Sequence, residues 1–213
     1  MLLDNLARAP VIFNQVQGLG HLQVHEMLPT TLLIIDQCWE VDEDLRLFYN
    51  NLEKTVPGPL YWPKFSTAEE HSEFPISFHF SDLNMATLLM VYWSTVTMLW
   101  SGMSQLYSLV QTMQSHTTTP SDENDGEVQS NQCRLKPLEH RSDYYTTARN
   151  ICQSVEYCMQ DEMLGFGPST VVPPLTILIE TFRDDPNFGR EITWIKETLR
   201  KVKDSGIRIL DHV

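Results

Sequence analysis

Basic residues are scarce in this chain, Lys and Arg numbering 15 against 28 Asp and Glu for a formal net charge of −13. Such a surface repels phosphate backbones, and no run of basic residues offsets it locally, so direct nucleic-acid binding by this chain is not expected. Cysteine is scarce as well. Cys38, Cys133, Cys152 and Cys158 are too few and too scattered for the disulfide framework of a small secreted protein, and they fit a reducing compartment. The opening MLLDNLARAP places Asp4 and Arg8 where a signal peptide needs an unbroken apolar stretch. The expected location is the nucleus or the cytoplasm.

The motifs of several chemistries are missing too. No serine sits in a glycine-flanked elbow, and no cysteine lies in an electropositive turn. GFGPS at 165–169 follows a helical pattern, whereas a dinucleotide loop follows a strand. Cys152 and Cys158 are six residues apart, about 240° around a helix, so they cannot share a metal. His21 and His25 in HLQVH have the spacing of helical metal ligands, yet no acid lies between them as a metalloprotease helix requires. No metal and no cofactor is expected.

What is present is apolar surface: 42% of the residues are hydrophobic and 10% aromatic, enough for one sizeable core. A single domain over 1–213 is the expectation. Between Leu83 and Ser121 there is no Asp, Glu, Lys or Arg. Asn84, Thr87, Ser94, Thr95, Thr97, Ser101 and Ser104 interrupt its apolar part and no Lys or Arg flanks it, which favours a buried core helix over a membrane span. The pattern predicts that helix over 82–113, capped by Ser81 or Asp82, with Leu83, Met90, Trp93, Val96, Leu99, Trp100, Met103 and Leu106 on its buried side.

Elsewhere the spacing predicts a helix over 10–28 and leaves TTLLIIDQCWE, 30–40, open between helix and strand. A separate helix is read in VDEDLRLFYNNLEK, acids first and Lys54 last. The Pro- and aromatic-rich stretch from Gly58 to Phe80 reads as a packed irregular loop. Residues 115–142, polar and without aromatics, read as a mobile, disordered linker. A further helix, DYYTTARNICQSVEYCMQDEML, is capped by Ser142 or Asp143 and stopped by Gly165, Gly167 and Pro168. Pro173 and Pro174 suit the first turn of the next, and NFGREITWIKETLRKVKDSG ends the series on a basic terminus. The class is all-α: an irregular multi-helix bundle around a long central helix.

Acid/base candidates are isolated. Glu156 lies one turn from Cys152 and near Met159 and Met163, with Arg149 or Gln160 as neighbours if it is merely a surface acid. Glu180 has Arg183 three residues on. His79 and Asp82 border the aromatic loop. The Met and Trp residues of the central helix suit either core packing or an apolar ligand cavity, with Trp93, Trp100, Met159 and Glu156 as its lining.

Several stretches together, LLIIDQCWEVD, GPLYWPKFS, FPISFHFSDLNMATLLMVYWSTVTMLWSG and ARNICQSVEYCMQDEMLGFGPSTVVPPLTILIETFRD, followed by REITWIKETL and GIRIL, resemble the C-terminal half of the regulatory region of fungal zinc-cluster transcription factors. Many members of that family control secondary metabolism. The resemblance implies an all-α regulatory region that receives effector or partner signals. Such factors also carry a six-cysteine binuclear zinc cluster with a basic flank, and usually a coiled coil. Neither occurs in these 213 residues, so no DNA-reading activity is carried over. The expectation is a regulatory module that binds a partner protein or an apolar small molecule, and that can self-associate. The alternative is a cofactor-independent cyclase or isomerase in the same scaffold, using Glu156, Glu180, His79 or Asp82 for proton transfer and Trp93 or Trp100 as cavity wall.

Overall fold

A computed structural model describes residues 8, 11–12, 14–67, 73–117, 135–163, 165–183 and 185–204. Five long helices account for most of them: α1 (Val24–Thr55), α2 (Leu83–Thr117), α3 (Tyr144–Cys158), α4 (Phe166–Thr181) and α5 (Gly189–Asp204). Two short strands, β1 (Trp62–Phe65) and β2 (Ile76–His79), form the one sheet among the described residues. The fold is all-α. The chain divides into two compact units, one of Met1–Asp44 with Leu99–Ser142, the other of Leu45–Met98 with Asp143–Val213.

In the first unit, helical residues 14–18 pass into a 3₁₀ turn at Leu19–His21, and the helix breaks at Leu22 and Gln23 before α1 begins. The predicted helix over 10–28 is therefore two pieces, and His21 and His25 do not share one helical face. From Val24 a single helix runs through both segments that the sequence reading kept apart. Thr31, Ile34, Ile35, Cys38, Val41 and Asp42 are buried at helical spacing. Pro29 lies inside α1 but on its solvent side, where the carbonyl it leaves unpaired can bind water.

The second unit holds the larger apolar cluster. Leu60, Phe74 and Phe80 join Ala86, Leu89, Met90 and Trp93 of α2, Ile151, Cys152 and Val155 of α3, Val171, Leu175 and Leu178 of α4, and Ile195, Leu199 and Val202 of α5. Each fully buried aliphatic or aromatic side chain contributes about 1.5–3 kcal/mol. Asp82 caps α2 by accepting from the Met85 amide at 2.9 Å, and Asp143 caps α3 by accepting from the Thr146 amide at 3.4 Å and its hydroxyl at 2.7 Å.

By length and composition Leu83–Ser115 could cross a membrane, and half of its most apolar window is buried. Its hydroxyls are accommodated locally. Ser94 donates to the Met90 carbonyl at 2.7 Å, Thr95 to that of Val91 at 2.9 Å, and Thr97 bonds Thr147 of α3 at 2.9 Å, so none is buried without a partner.

Two sequence expectations fail in this unit. The aromatic stretch is not wholly irregular, since β1 and β2 pair antiparallel with Phe65 opposite Ile76 and Trp62 opposite His79. Pro63 sits in β1, where a missing amide is tolerated because β1 is an edge strand. The GFG segment is not simply a stop: α4 begins at Phe166, so Pro173 and Pro174 fall in its middle rather than its first turn. Gly167 is needed for packing, because a Cβ there would lie 2.1 Å from the Cys158 carbonyl oxygen. Of the region expected to be a linker, 118–134 lie outside the described residues, α2 continues to Thr117, and Glu139–Ser142 form a 3₁₀ turn.

Candidate functional site

Glu156 is where the sequence candidates converge most closely. It lies on α3, half-buried, and its partners come from the end of β1 rather than from Arg149 or Gln160. Ser66 Oγ donates to it at 2.5 Å, the Thr67 amide at 2.9 Å and Thr67 Oγ1 at 2.8 Å. Burial alone would raise its pKa, but these donors and the nearby His79 outweigh it and hold the carboxyl below its ordinary value. The ionised carboxylate therefore ties the strand pair to the helix, with both oxygens occupied. A general base needs a free lone pair facing substrate.

His79, on β2, stands edge-on to Tyr157 with ring centroids 5.5 Å apart. Burial lowers its pKa first and Lys64 second, while Glu156 opposes them. The downward shift favours the neutral imidazole. Asp82 caps α2. Glu180 is exposed and pairs with Arg183 at 2.5 Å, the i,i+3 partner read from the sequence. Arg149 instead pairs with the buried Glu191 of α5 at 2.9 Å.

Of the four residues assigned to a ligand cavity, Trp93, Glu156 and Met159 lie in the second unit and Trp100 in the first. Trp93 is buried among aromatic rings, with Tyr61 edge-on at 5.3 Å, Phe78 at 6.1 Å and Phe80 at 6.5 Å. Met159 packs partly buried against the same cluster. Trp100 belongs to the other unit, where its indole nitrogen donates to Asp42 at 2.7 Å.

That indole is part of a cluster the sequence reading missed. Asp42 of α1, buried, accepts from Arg141 Nε at 2.8 Å and pairs with its terminal nitrogen at 2.6 Å. The Arg141 guanidinium also lies 4.5 Å over the Trp39 ring, and the Lys136 ammonium is 3.9 Å from the same ring centroid. The Trp39 indole donates to the Tyr107 hydroxyl at 3.0 Å, which donates in turn to the Lys136 carbonyl at 2.6 Å. No local pattern announces this. Asp42 reads as one of three acids in VDED, and Arg141 stands 99 residues away.

Beside this cluster lies an open groove of about 390 Å³, lined by Ser104, Tyr107, Ser108 and Gln111 of α2 and by the extended residues 135–138. Its lining mixes hydroxyl and amide side chains with Leu135, Pro137 and Leu138, and the hydroxyl of Tyr107 is already engaged. No group of three or more His, Cys, Asp or Glu able to hold a metal occurs among the described residues. Cys38, Cys152 and Cys158 are buried free thiols. Burial pushes Cys38 up to about 12 and Cys158 up to about 11, and raises Cys152 as well, so none is a ready nucleophile.

No family model, no characterised protein and no solved structure matches this chain.

Proposed function

We propose that the chain is a regulatory module, of the kind implied by its resemblance to zinc-cluster transcription factors, which acts by binding a partner protein and reads no DNA by itself. The observation that carries this reading is the employment of the acid/base candidates. Glu156 spends both carboxylate oxygens on Ser66 and Thr67, Asp82 caps a helix, Glu180 is held by Arg183 on the surface, and Trp93 is enclosed by other rings. Each therefore has a role in holding the fold, which supports a structural over a catalytic reading of these side chains. The net charge of −13 supports the absence of DNA reading.

The test is a reporter assay in which the chain is fused to an unrelated DNA-binding domain in fungal cells. Reporter output several-fold away from that of the DNA-binding domain alone is expected. Equal output would count against the module reading. In a gel-shift experiment at physiological salt the chain alone should leave duplex DNA unretarded, and specific retardation would overturn the second half of the proposal.

A further inference from the structure

Thr67 stands where β1 leaves the sheet, and it is both exposed and employed. Trp62, Pro63, Lys64 and Phe65 are exposed along the whole strand, and Thr67 is exposed two residues beyond it. An extended segment open to solvent is a form in which the groove of another protein can take a peptide. Thr67 is nonetheless engaged on the inner side. Its amide at 2.9 Å and its Oγ1 at 2.8 Å both donate to one carboxylate oxygen of Glu156 on α3, while Ser66 Oγ donates to the other at 2.5 Å.

This latch is sensitive to one kind of chemical change. A phosphate ester on Oγ1 has no proton to donate to Glu156, and it carries about −1.5 to −2 charges at neutral pH. Set against an ionised carboxylate, it repels where the hydroxyl attracted. His79, whose imidazole interacts with Glu156, is shifted toward its neutral form and offers little counter-charge. Neighbouring residues indicate the class of enzyme. Thr67 is the only serine or threonine in the chain with acids at both the second and third positions after it, Glu69 and Glu70. A basic substrate groove is complementary to that pattern.

We propose that Thr67 is a phosphorylation site for an acid-directed protein kinase, and that the phosphate unlatches the paired strands β1 and β2 from α3. In the transfer, Thr67 Oγ1 bonds to the γ-phosphorus of ATP as the bond from that phosphorus to the bridging oxygen breaks. ADP leaves with the electron pair, and the hydroxyl proton passes to the catalytic base of the kinase. Because the hydroxyl cannot donate to Glu156 and attack phosphorus at once, the kinase acts on the unlatched form, and its product stays unlatched. Strand pair and helix thereby make a two-state element biased by one covalent charge. This site does not depend on the partner-binding reading.

The test treats the full chain with magnesium, ATP and a purified acid-directed serine/threonine kinase. Peptide mass spectrometry locates the phosphate, and amide hydrogen exchange is followed over residues 62–67 and 76–79. Phosphate on Thr67 is expected, absent from Thr67→Val, with exchange of the strand amides faster by about tenfold or more than in the unmodified chain. In Glu156→Gln the hydroxyl is held less firmly and the charge repulsion is gone. Phosphorylation should there be several-fold faster and its effect on exchange much smaller. Thr67→Glu sets a carboxylate against Glu156 without any kinase and should speed the same exchange more than Thr67→Val does. Circular dichroism verifies that each variant keeps its helices. No phosphate on Thr67 in either wild type or E156Q, phosphate there with strand exchange unchanged, an equal rise in exchange in phosphorylated E156Q, or equal exchange in Thr67→Glu and Thr67→Val would each overturn the inference.

Discussion

Replacing Asp42 by Asn should be among the most damaging single changes available in the first unit. The substitution keeps the shape and lets the Trp100 indole go on donating to the Oδ1 position it now reaches at 2.7 Å. It removes the charge that neutralises Arg141. The guanidinium loses its ion-pair partner at 2.6 Å, and its nearest other carboxylate, Glu139, is 4.0 Å away and exposed. Arg141 and Asp42 are both buried, at 7% and 5% exposure, so the orphaned cation cannot turn to water without lifting residues 135–142 from the helices. Breaking a buried pair from one side costs about 3–5 kcal/mol, against a total stability of roughly 5–15 kcal/mol for a domain. R141M should cost a similar amount, because it leaves the buried carboxylate without its counter-charge, with only the Trp100 indole donating to it. The double variant D42L/R141M should cost clearly less than the two single losses together, since an apolar pair leaves no charge stranded. Urea unfolding followed by tryptophan emission is the assay, Trp39 and Trp100 both being in the cluster. Single-variant losses below about 1 kcal/mol, or simple additivity in the double variant, would refute the claim that this pair is buried and mutually dependent.

Gly167→Ala forces a Cβ to within 2.1 Å of the Cys158 carbonyl oxygen and should lower stability by about 3 kcal/mol or more, whereas Gly165→Ala, with open space around it, should change it by less than about 1 kcal/mol. Thermal melts of the two variants distinguish packing from a general intolerance of alanine. Glu156→Gln should cost about 1–2 kcal/mol at neutral pH through weakened bonds to Ser66 and Thr67. The Glu156 carboxyl titrates below its ordinary value in the folded state, so its contribution is present above the unfolded pKa and is lost as pH falls through the folded one. The stability gap between wild type and variant should therefore close in acid, and a gap that widens there would contradict the tether. Cys38, Cys152 and Cys158 should resist a thiol reagent at mildly alkaline pH until denaturant is added, and fast labelling of any of them, located by mass spectrometry, would contradict their burial.

Helices and caps were legible in the sequence because they rest on local rules. Asp82 and Asp143 stand where a short polar side chain can reach an amide three residues on, and Met90, Trp93, Val96, Met103 and Leu106 recur at the helical period and are buried. Errors came where a local signal was outvoted by packing. The helix read over 10–28 breaks at Leu22 and Gln23, and the 30–40 segment left open between helix and strand runs on within α1. The double proline at 173–174 lies mid-helix rather than in a first turn, since α4 starts from a glycine that the sequence marks only as a stop. The site was far less legible than the fold. The partners of Glu156 lie 89 and 90 residues away and the partner of Asp42 lies 99 away, and no spacing rule spans such distances.

The proposal that this chain regulates through a partner protein is tested most directly by tethering the full chain upstream of a reporter gene through an unrelated DNA-binding domain. Output should depart several-fold from that of the DNA-binding domain alone at equal protein level. A reporter indifferent to the tethered wild-type chain would contradict it.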